Sequence, residues 1–277
     1  MGLRIRTNIA SQMVQRNLKN TAEKEADDLE RLSSGKRITK AADDAAGLAI
    51  STRLEATTKG LRQATRNAND GVSLIQTAEG GLSEISNILV RLRELTIQSA
   101  SDTVGDKERQ FLHNEYSELS TEIDRIGDST IFNGTNLLNG EGEGVLEFHV
   151  GSESEEHNRI QFDSSETNAK ADSIGIGGTG IESKDDARDS IGSVDEAIDA
   201  VSGQRARLGS IQSRLQSTIN NLEIQTINQD NARSVIQDVD VAKSTASLAS
   251  TAVLKNAGIA TLSQANSIPN SALRLIG

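Results

Sequence analysis

Between Leu61 and Leu92 the apolar side chains fall at Leu61, Ala64, Ala68, Val72, Ile75, Ala78, Leu82, Ile85, Leu89 and Leu92, always three or four residues apart. A strand alternates every second residue, so this spacing fits only a helix, and its mean lies close to the 3.5-residue period of helices that wrap around a partner. The pattern predicts a helix from about Asp43 to Ala100, roughly 80 Å long at 1.5 Å per residue. No ordinary globular core contains a helix of that length, so the rest of the chain must supply helices to lie along it.

Those helices are legible on both sides. Val14, Leu18, Ala22, Ala26, Leu29 and Leu32 predict a first helix from about Asn8 to Ser33, and Leu112, Tyr116, Leu119, Ile123 and Ile126 predict a shorter third. Helical spacing returns with Ile191, Val194, Ile198, Val201, Leu208, Ile211, Leu215 and Leu222 and continues past Val239; a last segment carries Leu248, Ala252, Ile259 and Leu262 as far as Pro269. Between 131 and 186 the periodicity is lost. There the alternating stretches Leu146 to Val150 and Arg159 to Asp163 read as a small β-hairpin. The expected fold is mainly α: long antiparallel helices from both chain ends in a coiled-coil-like bundle, with the β-hairpin region in the middle.

The stretch LSSGKRITKAADDAAGLAI, Leu32 to Ile50, breaks the helical pattern. Gly35 stands where a left-handed helix cap is expected, because glycine reaches positive φ without steric cost. Residues 36–43 read as a linker, and Asp43 and Asp44 as caps for the exposed amides of the next helix. Four regions follow: terminal helices 1–35 with 241–277, the linker, a long-helix domain 44–130 with 187–240, and the middle 131–186. Each terminal helix has an apolar stripe too narrow to bury alone, so both are expected to order against neighbours. The residues assigned to that burial are Val14, Leu18, Leu29, Leu32, Leu248, Ile259 and Leu262.

Composition narrows the function. Aromatic residues make up only 2% of the chain, with no Trp and one Tyr, so the core must be aliphatic. A net charge of -11 opposes nucleic-acid binding, which rests on Lys and Arg meeting phosphates. No run reaches the roughly 18 apolar residues of a membrane span, and the first residues lack the apolar stretch of a cleaved secretory signal. Gly175, Gly177 and Gly180 satisfy G-x-G-x-x-G, but no strand leads into them and no helix opens on the last glycine, so they read as a loop. His113, His149 and His157 stand apart from one another, and Glu153, Glu155 and Glu156 read as a solvated loop. Asn133-Gly134-Thr135 matches a glycosylation sequon and equally a tight turn. No catalytic residue, cofactor or metal is expected.

The segments NLKNTAEKEADDLERLSSGKRITKAADDAAGLAI, LRQATRNANDGVSLIQTAEGGLSEISNILVRLRELTIQSA, FNGTNLL and the terminal LSQANSIPNSALRLIG together resemble bacterial flagellin, at both ends and in the family's order. The resemblance implies a subunit that self-assembles into a helical homopolymer, the terminal helices forming an inner tube and the long helices an outer tube, with an unusually short middle. It also implies export through the flagellar type III apparatus to an extracellular filament, free, sheathed or periplasmic. Its partners are an export chaperone, a filament cap and hook-junction proteins. The family's site for a vertebrate innate-immune receptor matches Arg91, Leu95 and Glu115, with Val90 where a family reference has Gln. A hook-filament junction protein and a coiled-coil signalling or adhesin module are the alternatives.

Overall fold

A computed structural model describes residues 7–141 and 144–274, with side chains to 268. The outermost residues assigned to the terminal helices, 1–6 and 275–277, lie outside the described residues. Among the described residues five α-helices carry most of the chain: α1 (Ile9–Ser34), α2 (Ala45–Ser99), α3 (Asp106–Ser129), α4 (Lys184–Gln237) and α5 (Val241–Arg274). Two antiparallel hairpins lie between α3 and α4: β1 (Ile131–Phe132) with β2 (Thr135–Asn136), and β3 (Val145–His149) with β4 (Arg159–Asp163). The mainly-α bundle with a small β region is therefore the architecture the periodicity implied. Two helix ends differ from expectation. α4 stops at Gln237, before Val239, and α5 restarts on Asp240, whose Oδ1 accepts from the Lys243 N–H at 3.0 Å. α5 also runs through Pro269 to Arg274.

The chain divides into two compact units, Met1–Thr57 with Asn228–Gly277 and Thr58–Ile227. The division falls inside α2 and α4 rather than at the 36–43 linker, because that linker is tied to the chain between α4 and α5.

In the Thr58–Ile227 unit the heptad is filled almost without error. Along α2 the heptad runs through the buried positions Leu61, Ala68, Ile75, Leu82, Leu89 and Thr96, and between them Ala64, Gly71, Ala78, Ile85, Leu92 and Ser99, with Thr58, Leu74 and Leu95 buried beside them. α4 answers with Ala187, Val194, Val201, Leu208, Leu215 and Leu222, each seven residues from the next. The Leu215 side chain lies against Gly71, Arg205 Nη2 is 3.9 Å from Glu79, and Arg93 Nε donates to Asp195 at 2.6 Å. As the α2 number rises its α4 partner falls, so the two helices run antiparallel. α3 adds Tyr116 and Ile123 to the same core. Arg109, 8% exposed, caps the end of α2 by donating to the Ser99 and Ser101 carbonyls at 2.9 and 3.0 Å.

The middle region closes this core. β3 and β4 pair Leu146 with Phe162 and Phe148 with Ile160, and the Phe148 ring sits on Gly71 of α2. Asn133 and Gly134, with φ of 49° and 85°, form the tight turn between β1 and β2. The glycines of residues 175–180 lie in the irregular loop before α4. That loop is fastened to α3: the Tyr116 and Thr179 hydroxyls are 2.7 Å apart, and His113 Nδ1 accepts from the Ile181 N–H at 3.3 Å. His113, read from sequence as isolated, is thus a half-buried fastener whose Nε2 faces Glu182 at 3.1 Å.

Candidate assembly surfaces

The terminal unit is built on α1 and α5. Asn8 Oδ1 caps α1 by accepting from the Ser11 N–H at 3.0 Å, while Asn8 Nδ2 donates to the Ala265 carbonyl at 2.8 Å. Ser11 Oγ donates to Asn266 Oδ1, Leu18 lies against Gly258, Lys255 Nζ reaches Glu25 at 2.8 Å, and Ser247 Oγ donates to Asp28 at 2.7 Å. These partners also run in opposite directions, so α1 and α5 are antiparallel. Among the less exposed positions of α1, Ser11, Val14, Leu18, Thr21, Glu25, Asp28 and Leu32 again follow a heptad, with Glu30 and Arg31 half-buried beside its end. Those of α5 include Ser244, Leu248, Thr251, Lys255, Gly258, Leu262 and Ala265.

The seam therefore mixes polar residues with Val14, Leu18, Leu32, Leu248 and Leu262, and further apolar side chains stand outside it. At 100° per residue, Ile9, Met13 and Val253 lie away from the seam, and they are 54%, 67% and 67% exposed. Leu29 and Ile259 flank it, each 51% exposed. Of the seven residues that the sequence assigns to burial, Val14, Leu18, Leu32, Leu248 and Leu262 are half-buried within one chain, while Leu29 and Ile259 face solvent. Ile9, Met13 and Val253 escaped sequence reading because their spacing belongs to no long stripe; their signal is apolar identity at positions opposite one.

Between α1 and α2, Gly35 ends α1 with φ of 69°, and the backbone to Asp44 is not helical. This linker pairs with the chain between α4 and α5. The Arg37 N–H donates to the Gln237 carbonyl at 2.7 Å, the Val239 N–H to the Gly35 carbonyl at 3.0 Å, and Arg37 Nη2 to the Ile236 carbonyl at 2.6 Å. Asp44 Oδ1 accepts from the Gly47 N–H at 2.8 Å and caps α2. Asp43 does not share that role. Its Oδ2 turns back to accept from the Thr39 and Lys40 N–H groups at 3.0 and 3.1 Å, which hold its carboxyl below the usual carboxylate range.

On α2, Arg91 donates from Nε and Nη2 to Glu115 Oε1 at 3.0 and 2.8 Å and from Nη1 to Glu94 at 2.9 Å. These hydrogen bonds from Glu115 and Glu94 raise the Arg91 pKa above its ordinary value. Leu95 is separated from this pair by burial: at 0% exposed it belongs to the core and is not offered to a partner. The apolar residues beside Arg91 that do face solvent are Val90 and, further along, Ile97.

These arrangements define a class: a chain whose two ends fold on each other as helices, with a compact helical body between them. Residues 5–143 match the bacterial flagellin N-terminal helical region, and residues 191–276 match the bacterial flagellin C-terminal helical region. The chain belongs to the bacterial flagellin family. It is 42% identical to a flagellin of Halalkalibacterium halodurans over 90% of both chains. It is 37% identical to the flagellar filament 33 kDa core protein of Treponema phagedenis, over 98% of this chain and 99% of that one. Among solved structures it is similar to Bacillus cereus flagellin, with a TM-score of 0.51 at 30% identity over 57% of this chain and 88% of the other. A putative flagellar hook-associated protein from Vibrio parahaemolyticus shares the fold, with a TM-score of 0.59 at 16% identity over 70% and 99% of the two chains.

Proposed function

We propose that the chain is the structural subunit of a bacterial flagellar filament, outside the cell, and that it acts by polymerising rather than by catalysis. The observation that carries this reading is the polarity of the terminal unit. α1 and α5 give much of their shared seam to Ser11, Thr21, Glu25 and Lys255, set among half-buried aliphatics, and leave Ile9, Met13 and Val253 in solvent. Exposed apolar side chains of this size gain roughly 1.5 to 3 kcal/mol each only when something covers them, and equivalent helices of adjacent subunits are that cover. Burying them offsets the entropy of ordering the chain ends, so the α1–α5 pair of an unassembled subunit is only marginally stable and opens readily for export. The terminal helices then form an inner tube and the long helices an outer one. An export chaperone, a filament cap and hook-junction proteins handle the subunit before and during growth. The Arg91–Glu115 pair is offered to subunit packing, and in a vertebrate host to an innate-immune receptor.

Removing Met1 to Gly35 together with Val241 to Gly277 tests the reading. The remaining chain should be a helical monomer that never polymerises; filaments of normal appearance from it would refute the role given to the two ends.

A further inference from the structure

We propose that the α1–α5 seam carries a register key, in which Glu25 with Lys255 and Leu18 with Gly258 specify how the two ends of one chain pair. The inference deepens the filament reading by naming the residues that fix which faces the ends present to neighbouring subunits.

The need for a key lies in the residues of α5. From Val241 to Val253 it reads VAKSTASLASTAV, mostly side chains of one to three heavy atoms. Such a surface offers nearly the same relief at successive heptads, and the seam of α1 is itself half polar, so apolar packing alone does not choose between alignments. Two features do. A Cβ placed on Gly258 would come within 3.3 Å of Leu18 Cδ1, so this glycine is the notch that receives the leucine. One heptad away in either direction Leu18 would meet Thr251 or Ala265, both carrying a Cβ and both less than a tenth exposed. The second feature is Lys255, whose Nζ lies 2.8 Å from Glu25 Oε2, with the carboxylate only 21% exposed. The same slip places the ammonium against Leu18 or Leu32, away from its carboxylate. A polar pair on a heptad seam discriminates in this way because the wrong register leaves a charge partly desolvated and unmatched.

The two features work on different physics, steric fit and charge, and sit about one turn apart on α5 and about two on α1. The Asn8 and Ser11 hydrogen bonds to residues 265 and 266 fix the far end of the same alignment. With the alignment fixed, Met13 and Val253 hold constant positions on the outside of the pair, and every subunit presents the same surface.

Charge exchange in the full-length chain tests the key. Glu25→Lys and Lys255→Glu should each slow filament growth by about tenfold, and the double exchange should restore it. A double exchange as slow as the single ones overturns the proposal. An equimolar mixture of the two single variants should stay slow, since each chain pairs with itself; recovery in the mixture would place the pairing between chains and overturn the key as an in-chain device. Zero-length carbodiimide coupling of the wild-type monomer, read by peptide mass spectrometry, should join Glu25 to Lys255, and coupling of Lys255 mainly to another carboxylate counts against the register. A wild-type chain that couples at these residues yet never polymerises would sink the filament reading and leave the key standing.

Discussion

Two antiparallel helix pairings stand in the same chain, both written in heptads. α2 and α4 meet over Leu82, Leu89, Val201 and Leu208, all buried, whereas α1 and α5 meet over a mixed seam in which Ser11, Glu25, Thr251 and Lys255 stand among half-buried aliphatics such as Leu18 and Leu248. The period sets the geometry in both, and the residues that fill it set the stability. Each fully buried aliphatic of α2 contributes roughly 1.5 to 3 kcal/mol. The half-buried seam of α1 gains far less and holds polar pairs whose main effect is alignment. The first pairing suits a body that stands alone, the second a pair of ends completed by assembly.

The widest separation between the two should come from truncating one leucine in each. Leu89→Ala, at a fully buried site in the middle of α2, should cost about 3 kcal/mol, since it removes the side chain and leaves a cavity among packed neighbours. Leu18→Ala, half-buried beside Gly258, should cost about 1 kcal/mol in the monomer. Urea unfolding followed by circular dichroism measures both, and equal costs would erase the distinction.

A polar residue sharpens it next. Arg109 is nearly enclosed, and its guanidinium satisfies the Ser99 and Ser101 carbonyls and contacts Asp106. Arg109→Leu keeps the bulk but orphans those carbonyls, so the Thr58–Ile227 unit should lose about 2 kcal/mol in the same unfolding measurement. The charges of the α1–α5 seam are half open to water, so the Lys255→Met variant should move the unfolding midpoint much less. A larger shift for Lys255→Met would show that the terminal unit depends on polar contacts for strength and not only for register.

How much of this the sequence carries follows from what periodicity encodes. Steps of three and four from Leu61 to Leu92 reveal which residues share a face, and a face of large aliphatics is buried wherever a partner lies along it. For that reason α2, the core and the mainly-α bundle were legible. Periodicity does not say what covers a face. The family resemblance groups Leu95 with Arg91 and Glu115, yet Leu95 lies one turn from Arg91 on the side turned to the core. Leu29 and Ile259 belong to the same stripes as Leu32 and Leu262 but flank the seam. The two aspartates at the start of α2 look alike as letters, and only backbone geometry sends Asp44 to the Gly47 amide and Asp43 back to Thr39. The end of α4 at Gln237 carries no Gly or Pro; its only written mark is Asp240 ahead of α5.

A smaller effect belongs to the joint. Gly35 has φ of 69° and open space where a Cβ would sit, so Gly35→Ala meets no clash and costs only the left-handed conformation, about 1 kcal/mol. That loss should stay within the terminal unit. Amide exchange should quicken along α1 and be unchanged from Leu82 to Leu92; faster exchange in both would mean that the two units unfold as one.

The smallest expected change is a titration. The Thr39 and Lys40 amides that donate to Asp43 hold its folded carboxyl below the ordinary carboxylate range. In the unfolded chain the same group protonates first as pH falls. Its stabilising contribution is therefore complete above the unfolded carboxylate pKa and is lost as pH drops through the lower folded value. Because Asp43 also lies 3.6 Å from Arg31 at the end of α1, protonation should loosen the linker beside α1 before it disturbs the aliphatic core. The amide resonances of Thr39 and Lys40 should shift together on acidification in the wild-type chain and stay flat in Asp43→Asn, while core resonances such as Leu89 hold in both. Movement of the Leu89 resonance with the same midpoint would show that the joint and the core respond as one cooperative body, and the division between a self-sufficient body and assembly-dependent ends would fail at its gentlest test.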